Sequence, residues 1–448
     1  MILAGLVLAA AVGTLPSPQP MSLDQAVAFA MTHNAAVLAA KVSFAAAGAT
    51  VAANRAAGLP NMNAQAQSVL NRQSTSNAGQ FAQFGLSPSP NFSQSTTQLQ
   101  AGQNIFDLTT TLQARDAQRA YDAARHNFRL AQETTKLDVE TSFYGLAESA
   151  QLVALAHSDT AYQQSLVSIA QVNYSTGKVA GIDVLKARIG LTSSQESGAS
   201  AEADEADAKE NLAQLIGAPA MQQFAVPDTI PVPDPPAGDL ASLTARALRD
   251  RPDVLAAFDS YSQALVERSL VDAPDRPVIN LSGAWGNQVS PTNNVAILAA
   301  CNNPGRPLGE PPCGLGPSHF YTVSLTSTWT LPLLDWGSKH AARSSASVAA
   351  DEKLTAYDAA KQQALIDVDQ AFRRLSVDRQ NLALATDNDK LAKQSADVSK
   401  VQYRTGLISQ IDVTAAEQTY LQTAKDLLTA QVGYVLSVEK LKLAIGAL

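Results

Sequence analysis

The sequence is poor in the side chains that carry most catalysis. It has two cysteines, five histidines and only 6% aromatic residues across 448 positions. The histidines, His33, His126, His157, His319 and His340, fall at no metal-ligand spacing. No nucleophile elbow, phosphate loop or dinucleotide fingerprint is present. The chain is therefore not expected to be an enzyme, nor to hold a cofactor or a metal. A basic surface is also missing: the formal net charge is −8 and the pI about 5.2, which excludes a nucleic-acid partner. Beyond residue 20 no apolar run reaches the roughly 18 residues that mark a membrane-spanning helix. That excludes a helical membrane protein but not a β-barrel, whose strands give a much weaker signal.

The apolar content, 46% of residues, is mostly Ala, Leu and Val, a composition suited to long helices packed closely together. One continuous apolar stretch, Ile2 to Leu15, is followed by Pro16, Pro18 and Pro20. It is too short to span a bilayer, so residues 1–20 read as a secretory signal, although the usual Lys or Arg near the start is missing. A buried first helix is the other reading. An exported chain gives the only cysteines, Cys301 and Cys313, a natural use. They flank a Pro/Gly/Asn segment and suit a disulfide that closes a loop; two free thiols are the alternative.

The chain repeats itself. Val172-Asn173-Tyr174-Ser175-Thr176-Gly177, then Ile182-Asp183-Val184, corresponds to Val401-Gln402-Tyr403-Arg404-Thr405-Gly406, then Ile411-Asp412-Val413. The offset is 403 − 174 = 229, and Leu212, Ile216 and Gly217 map at the same offset onto Leu441, Ile445 and Gly446. Nearer the front, Val37-Leu38-Ala39-Ala40 matches Val254-Leu255-Ala256-Ala257 at 254 − 37 = 217. The offset grows by 12 in the stretch where the second copy carries its Cys301–Cys313 loop. The expected organisation is a signal over 1–20, a first unit over 21–218, a Pro-rich equatorial linker over 219–238 and a second unit over 239–448.

Each unit opens with a helical pattern, Leu23, Ala26, Val27 and Ala30 or Leu240, Leu243, Ala247 and Leu248, that ends by Pro60 or Pro277. Two strands follow in each. Met62, Ala64, Ala66 and Leu70 alternate with Asn63, Gln65 and Gln67; Leu99, Ala101 and Ile105 alternate with Gln98, Gln100 and Asn104. In the second copy Ile279, Leu281 and Trp285 alternate with Asn280 and Ser282. Tyr321, Val323, Leu325, Trp329 and Leu331 alternate with Thr322, Ser324, Thr326, Thr328 and Thr330. A period of two with one apolar face suits a wall between lipid and water; a soluble β-sandwich patch is the blander reading. Four strands cannot close a barrel, so a membrane reading requires several chains to pool theirs. After the strands come helical runs without proline, Leu108 to Thr176 and Trp336 to Thr405, each with a return helix. Apolar steps of three and four, as in Leu421, Ala424, Leu428, Gln431, Val435 and Val438, predict helices packed as in coiled coils.

Several of these segments resemble the TolC-like outer-membrane efflux family. The resemblance rests on Ser22-Leu23-Asp24-Gln25-Ala26, on Pro332-Leu333-Leu334-Asp335-Trp336-Gly337, and on Tyr403 through Val413. It covers nearly everything after Pro20. It implies a mainly α fold with a membrane β-barrel: a homotrimer in which four strands per chain give a 12-strand barrel and the helices a 12-helix periplasmic tunnel. It implies an outer-membrane channel, extending into the periplasm, for a tripartite efflux or type I secretion system. Partners would be outer-membrane lipid, a periplasmic adaptor and an inner-membrane pump. The rival class is a secreted coiled-coil scaffold, structural or adhesive, without a pore.

The resemblance also implies a periplasmic gate in which Asp412 forms a ring of carboxylates, Tyr403 and Asp183 link the two hairpins, and Arg404 pairs with an acid at the tip. Two positions depart from the family pattern: Ala415 stands where a second ring acid is usual, and Ile408 where a basic residue is. The plainer reading is that Asp183 and Asp412 cap helices beginning at Val184 and Val413. Adaptor docking is expected at the tips, through Gly177, Val184, Leu185, Gly406 and Val413, with hairpin packing as the alternative role.

Overall fold

The computed structural model describes residues 20–72, 91–227, 229–289, 318–331 and 333–447. The expected signal, up to residue 19, and the Cys301–Cys313 pair lie outside the described residues. The chain divides into two compact units, each drawing on both halves of the sequence. One comprises Gly48–Ala120 and Ser262–Asp351; the other comprises Met1–Ala47, Tyr121–Tyr261 and Glu352–Leu448.

The first of these holds a sheet of four antiparallel strands in the order β1 (Asn61–Arg72), β2 (Asn91–Phe106), β3 (Val278–Val289) and β4 (Ser318–Thr328). The register fixes which side chains share a face. Ala64 pairs with Leu99, Leu99 with Trp285, and Trp285 with Tyr321, so one row crosses all four strands. Met62, Leu99, Leu281, Trp285, Tyr321, Val323 and Leu325 are all exposed on this face. The opposite face is polar and bonded across strands. Gln98 Nε2 donates to Gln65 Oε1 (3.2 Å), Asn280 Nδ2 to Asn104 Oδ1 (2.8 Å), and the Ser282 and Ser324 hydroxyls lie 2.8 Å apart. The halves of the chain meet at β2 and β3, where Gly286 is required. A Cβ there would stand 2.5 Å from the Thr97 carbonyl oxygen. β1 and β4 are the edges.

Helices α1 (Leu23–His33), α2 (Ala35–Ala57), α3 (Leu108–Ser175) and α4 (Gly181–Ile216) belong to the first half of the sequence. Their counterparts are α5 (Leu240–Asp250), α6 (Pro252–Leu270), α7 (Ser338–Thr405) and α8 (Gln410–Ala444). The helical unit has two matched cores. Ala26 and Ala30 pack with Val139, Leu146, Leu212 and Ile216; Leu243 and Ala247 pack with Val368, Leu375, Leu441 and Ile445. A third cluster, Tyr144, Ala147, Ile230, Val432 and Val435, joins the two halves through the Pro-rich segment. That segment is also fixed by a bridge between Met21 and Phe224 and by the Tyr434 hydroxyl, which donates to the Pro233 carbonyl (3.2 Å).

Three sequence expectations need correction. The opening helical pattern is not continuous: it breaks at Asn34 (ψ 132°) and Arg251 (ψ 126°). Pro252 disfavours a helical conformation at Arg251. Asn34 instead starts α2, its side chain accepting from the Ala36 amide (2.8 Å). The second long helix begins at Ser338, not Trp336, because Trp336 (φ 53°) and Gly337 (φ 84°) form a left-handed turn. β4 ends at Thr328 rather than Leu331. In addition, the Ala-rich α2 is long and apolar enough by composition to cross a membrane, as an alanine-rich helix packed against other helices also is.

Leu212 is fully buried. Leu212→Ala should lower stability by about 2–5 kcal/mol in denaturant unfolding of the detergent-solubilised protein. A loss under about 1 kcal/mol would mean that this core does not hold the helices.

Candidate functional site at the hairpin tips

Both long hairpins turn in the same way. Gly177 (φ 76°) and Gly406 (φ 81°) adopt the left-handed conformation that ends a helix. Their amides donate to the carbonyls of Tyr174 (3.0 Å) and Tyr403 (3.1 Å). The next amides, of Lys178 and Leu407, reach back to Asn173 and Gln402 (2.9 Å each). No atom lies within 4 Å of a Cβ added at either glycine. Backbone conformation, not space, is what demands glycine there.

The return helices begin three residues earlier than the sequence suggests, at Gly181 and Gln410. Asp183 and Asp412 are therefore not the capping residues, which are Ala180 and Ser409. Asp412 instead completes a capping box. Its carboxylate accepts from the Ser409 amide (3.1 Å) and hydroxyl (2.6 Å), while the Ser409 hydroxyl accepts from the Asp412 amide (3.3 Å). The side chain is exposed, and the bonds from Ser409 hold its pKa below the usual carboxylate range. Ala180 offers no such cap, so the two tips are built alike but secured differently.

Tyr403 and Val413 are buried together with Tyr162 and Leu166. The Tyr162 and Tyr403 hydroxyls are buried with no hydrogen-bond partner among the described residues. Burial, then the nearby Asp183 carboxylate, raises the pKa of Tyr403. Val184 is buried against Ala170 and Ala187. Leu185 is exposed in a shallow groove with Arg188 and Ile189. Arg404 is exposed near the end of α7. The structure thus brings Tyr403, Asp183 and Val413 together, and leaves Asp412, Arg404 and Leu185 facing outward.

Two buried polar residues at the tips are not among those the sequence singles out. Gln410 is buried and joins the hairpins: with its amide oriented to satisfy both ends, Nε2 donates to the Asp183 carbonyl (2.7 Å) and Oε1 accepts from the Ala187 amide (3.0 Å). Glu417 is buried one turn beyond Val413. Burial first, then the Asp159 carboxylate, pushes it up from 4.5 to about 7, while Lys400 acts in the opposite direction. Lys400 itself lies 4.6 Å from the centre of the Tyr162 ring. The steps 410, 413 and 417 are three and four. Polar residues on an otherwise apolar seam were the signal available.

With the fold and tips described, relatives can be compared. Residues 28–218 and 243–447 match the outer membrane efflux protein family. This chain belongs to that family and is an outer-membrane efflux channel subunit that extends into the periplasm. A non-pore scaffold finds no support. The fold is similar to that of the CmeC outer-membrane channel of Campylobacter jejuni, at TM-score 0.76 and 16% identity over 95% of this chain and 85% of that one. It is also similar to VceC of Vibrio cholerae, at TM-score 0.72 and 17% identity over 95% and 96% of the two chains. The open state of the Neisseria gonorrhoeae MtrE channel gives TM-score 0.71 and 19% identity over 100% and 98%. No functionally curated protein matches the chain.

Glu417 also makes a pH prediction. Its folded pKa lies above its unfolded one, so the native state binds more protons between about pH 4.5 and 7. Its contribution to stability is fully present below that window and lost as pH rises through it. Glu417→Gln should flatten this slope and stabilise the protein at pH 8, by about 3 kcal/mol at most. A melting profile in which wild type and Glu417→Gln keep the same spacing from pH 4 to pH 8 would remove Glu417 as its source.

Proposed function

We propose that three copies of this chain form one passive duct, with twelve strands closing a barrel in the outer membrane and twelve helices lining a periplasmic tunnel. The sheet carries the proposal: four strands, one exposed apolar face and two open edges. Lipid does not tolerate unpaired strand edges, and four strands are too few to close. A second stripe on α7 supports it. Val377, Leu384, Leu391 and Val398 recur every seven residues and are exposed, while Leu375, Ala392, Ala396 and Tyr403 are buried against the chain's own residues. A heptad stripe facing away from its own chain suits packing against a neighbouring copy. We take the expected two-unit organisation, 21–218 and 239–448 joined by 219–238, as the repeat that each copy contributes.

The tips are then the periplasmic entrance. Asp412, repeated about the axis, gives a ring of carboxylates that attracts cations and repels anions. Tyr403, Asp183 and Gln410 hold the two hairpins together when the entrance is narrow, and Arg404 balances the acidic rim. The likeness to a channel solved in its open state supports treating this region as movable. Leu185, Gly177 and Gly406 offer the outer surface to a periplasmic adaptor, with Val184 and Val413 supporting it from beneath. The adaptor couples the duct to an inner-membrane pump.

The particle extracted from outer membranes in mild detergent should have three times the mature chain's protein mass. A monomer would leave the sheet unable to close and end the duct reading. In single-channel recordings, Asp412→Ala should abolish block by multivalent cations, and Gln410→Ala should raise the conductance of the resting channel. Unchanged block would reject the ring, and unchanged conductance the Gln410 link.

A further inference from the structure

The segment between β4 and α7 has no part in the duct so far described. We propose that Leu333, Leu334 and Trp336 seat in the periplasmic leaflet of the outer membrane, among phospholipid headgroups and the upper acyl chains. The proposal rests on the outer-membrane location of the sheet and on nothing at the tips.

These three side chains are exposed by 97%, 71% and 89%. Their position continues the lipid face. Tyr321, Val323 and Leu325 are exposed on β4, and Trp329 and Leu331 extend the same odd-numbered alternation past the strand's end. All four strands meet their helices at this end of the sheet: Asn61 pairs beside Gly102, and Val278 beside Thr328. In a channel that continues into the periplasm, this is the periplasmic rim.

The segment is also held in place. Asp335 accepts from the amides of Gly337 and Lys339 (3.1 Å each), which fixes the turn carrying Trp336 at its left-handed φ of 53°. Trp329 Nε1 donates to the Asp275 carbonyl (2.7 Å), Lys339 pairs with the Asp275 carboxylate, and Arg343 Nε donates to Asp272 (2.7 Å). A bulky side chain in a strained conformation, anchored on both sides yet almost wholly exposed, needs a medium to receive it. An indole has the amphipathic character that the headgroup region favours.

The first half of the chain places a related feature at the same rim. Asp107 stands 335 − 107 = 228 residues before Asp335, and its carboxylate accepts from the Thr109 amide (2.9 Å). Ile105 and Phe106, just before it, are exposed as Leu333 and Leu334 are. Each half thus presents an apolar pair followed by a helix-starting Asp, which would form a collar at one depth.

The test uses the whole channel reconstituted in phosphatidylcholine vesicles. Trp285→Phe with Trp329→His, which keeps a ring N–H to donate to the Asp275 carbonyl, leaves Trp336 as the sole tryptophan. Its fluorescence should be quenched severalfold more by lipids brominated near the headgroup than by lipids brominated near the chain end, and protected from aqueous acrylamide. Strong acrylamide quenching without bromolipid quenching would mean that it lies in water. Protection from both quenchers would mean that protein, such as a second copy, covers it. Either result overturns the proposal, and conductance of the same preparation shows whether the duct itself is intact. On the unaltered protein, a membrane-partitioned diazirine probe should label the peptide spanning 329–337. An unlabelled peptide beside labelled β4 would also overturn it.

Discussion

An amide left unpaired in hydrocarbon has no water to turn to, and each one costs several kcal/mol. A sheet in a membrane must therefore have no edges. The described residues bring four strands, and their order leaves β1 and β4 at the margins. Four strands alone cannot meet the requirement, which is the ground for proposing that copies pool them. The sheet's internal join is between halves, β2 to β3, and the tight approach at Gly286 fits that one pairing. In the proposed duct the remaining join, β1 to β4, would again be between the same two halves, now of neighbouring copies. In that duct, duplication within the chain and assembly between chains would solve the same closure problem.

The helical unit meets a different constraint, which is to pack long helices on more than one side without a thick core. Small residues make this possible. The matched clusters around Leu212 and Leu441 join large side chains from two long helices to alanines of a short one, Ala26 and Ala30 or Ala247. On α7 the inward seam and the outward heptad stripe share one helix, and polar residues fill the rest of its surface. The alanines at these helix contacts account for an apolar content that is high while the aromatic content is low.

Much of this was legible in the sequence because it is periodic. Alternation identified the strands, and both long helices were bounded to within two residues by the glycines and by the lack of proline. The breaks at Asn34 and Arg251 were not seen, because the apolar pattern continues across them and only Pro252 marks one. The helix starts at Gly181 and Gln410 were placed too late because Asp is a common cap. At α8 the cap is Ser409, with Asp412 as its partner across the box. Gln410 and Glu417 were missed for a deeper reason. A polar residue on a buried seam reads as a solvated face unless the seam's phase is already known. Nothing about a side chain alone tells that its amide will meet a carbonyl of another hairpin.

The placement of those polar residues has a mechanical consequence. The cores around Leu212 and Leu441 are built of Leu, Val, Ile, Phe, Ala and Tyr434, whose hydroxyl has a partner. The tip core contains Tyr162 and Tyr403 with unpartnered hydroxyls, beside Gln410 and the partly protonated Glu417. Burying an unpaired hydroxyl or a displaced carboxyl costs free energy that opening would recover, because water then satisfies both. Similar groups occur further along the same helices: Glu140, next to Val139 in the sequence, is buried, has one carboxylate oxygen without a partner among the described residues, and is likewise pushed up to about 7. Buried groups that water would satisfy are thus shared along the bundle, and what is particular to the tips is the Gln410 amide bridging α8 to the Asp183 and Ala187 backbone of the other hairpin.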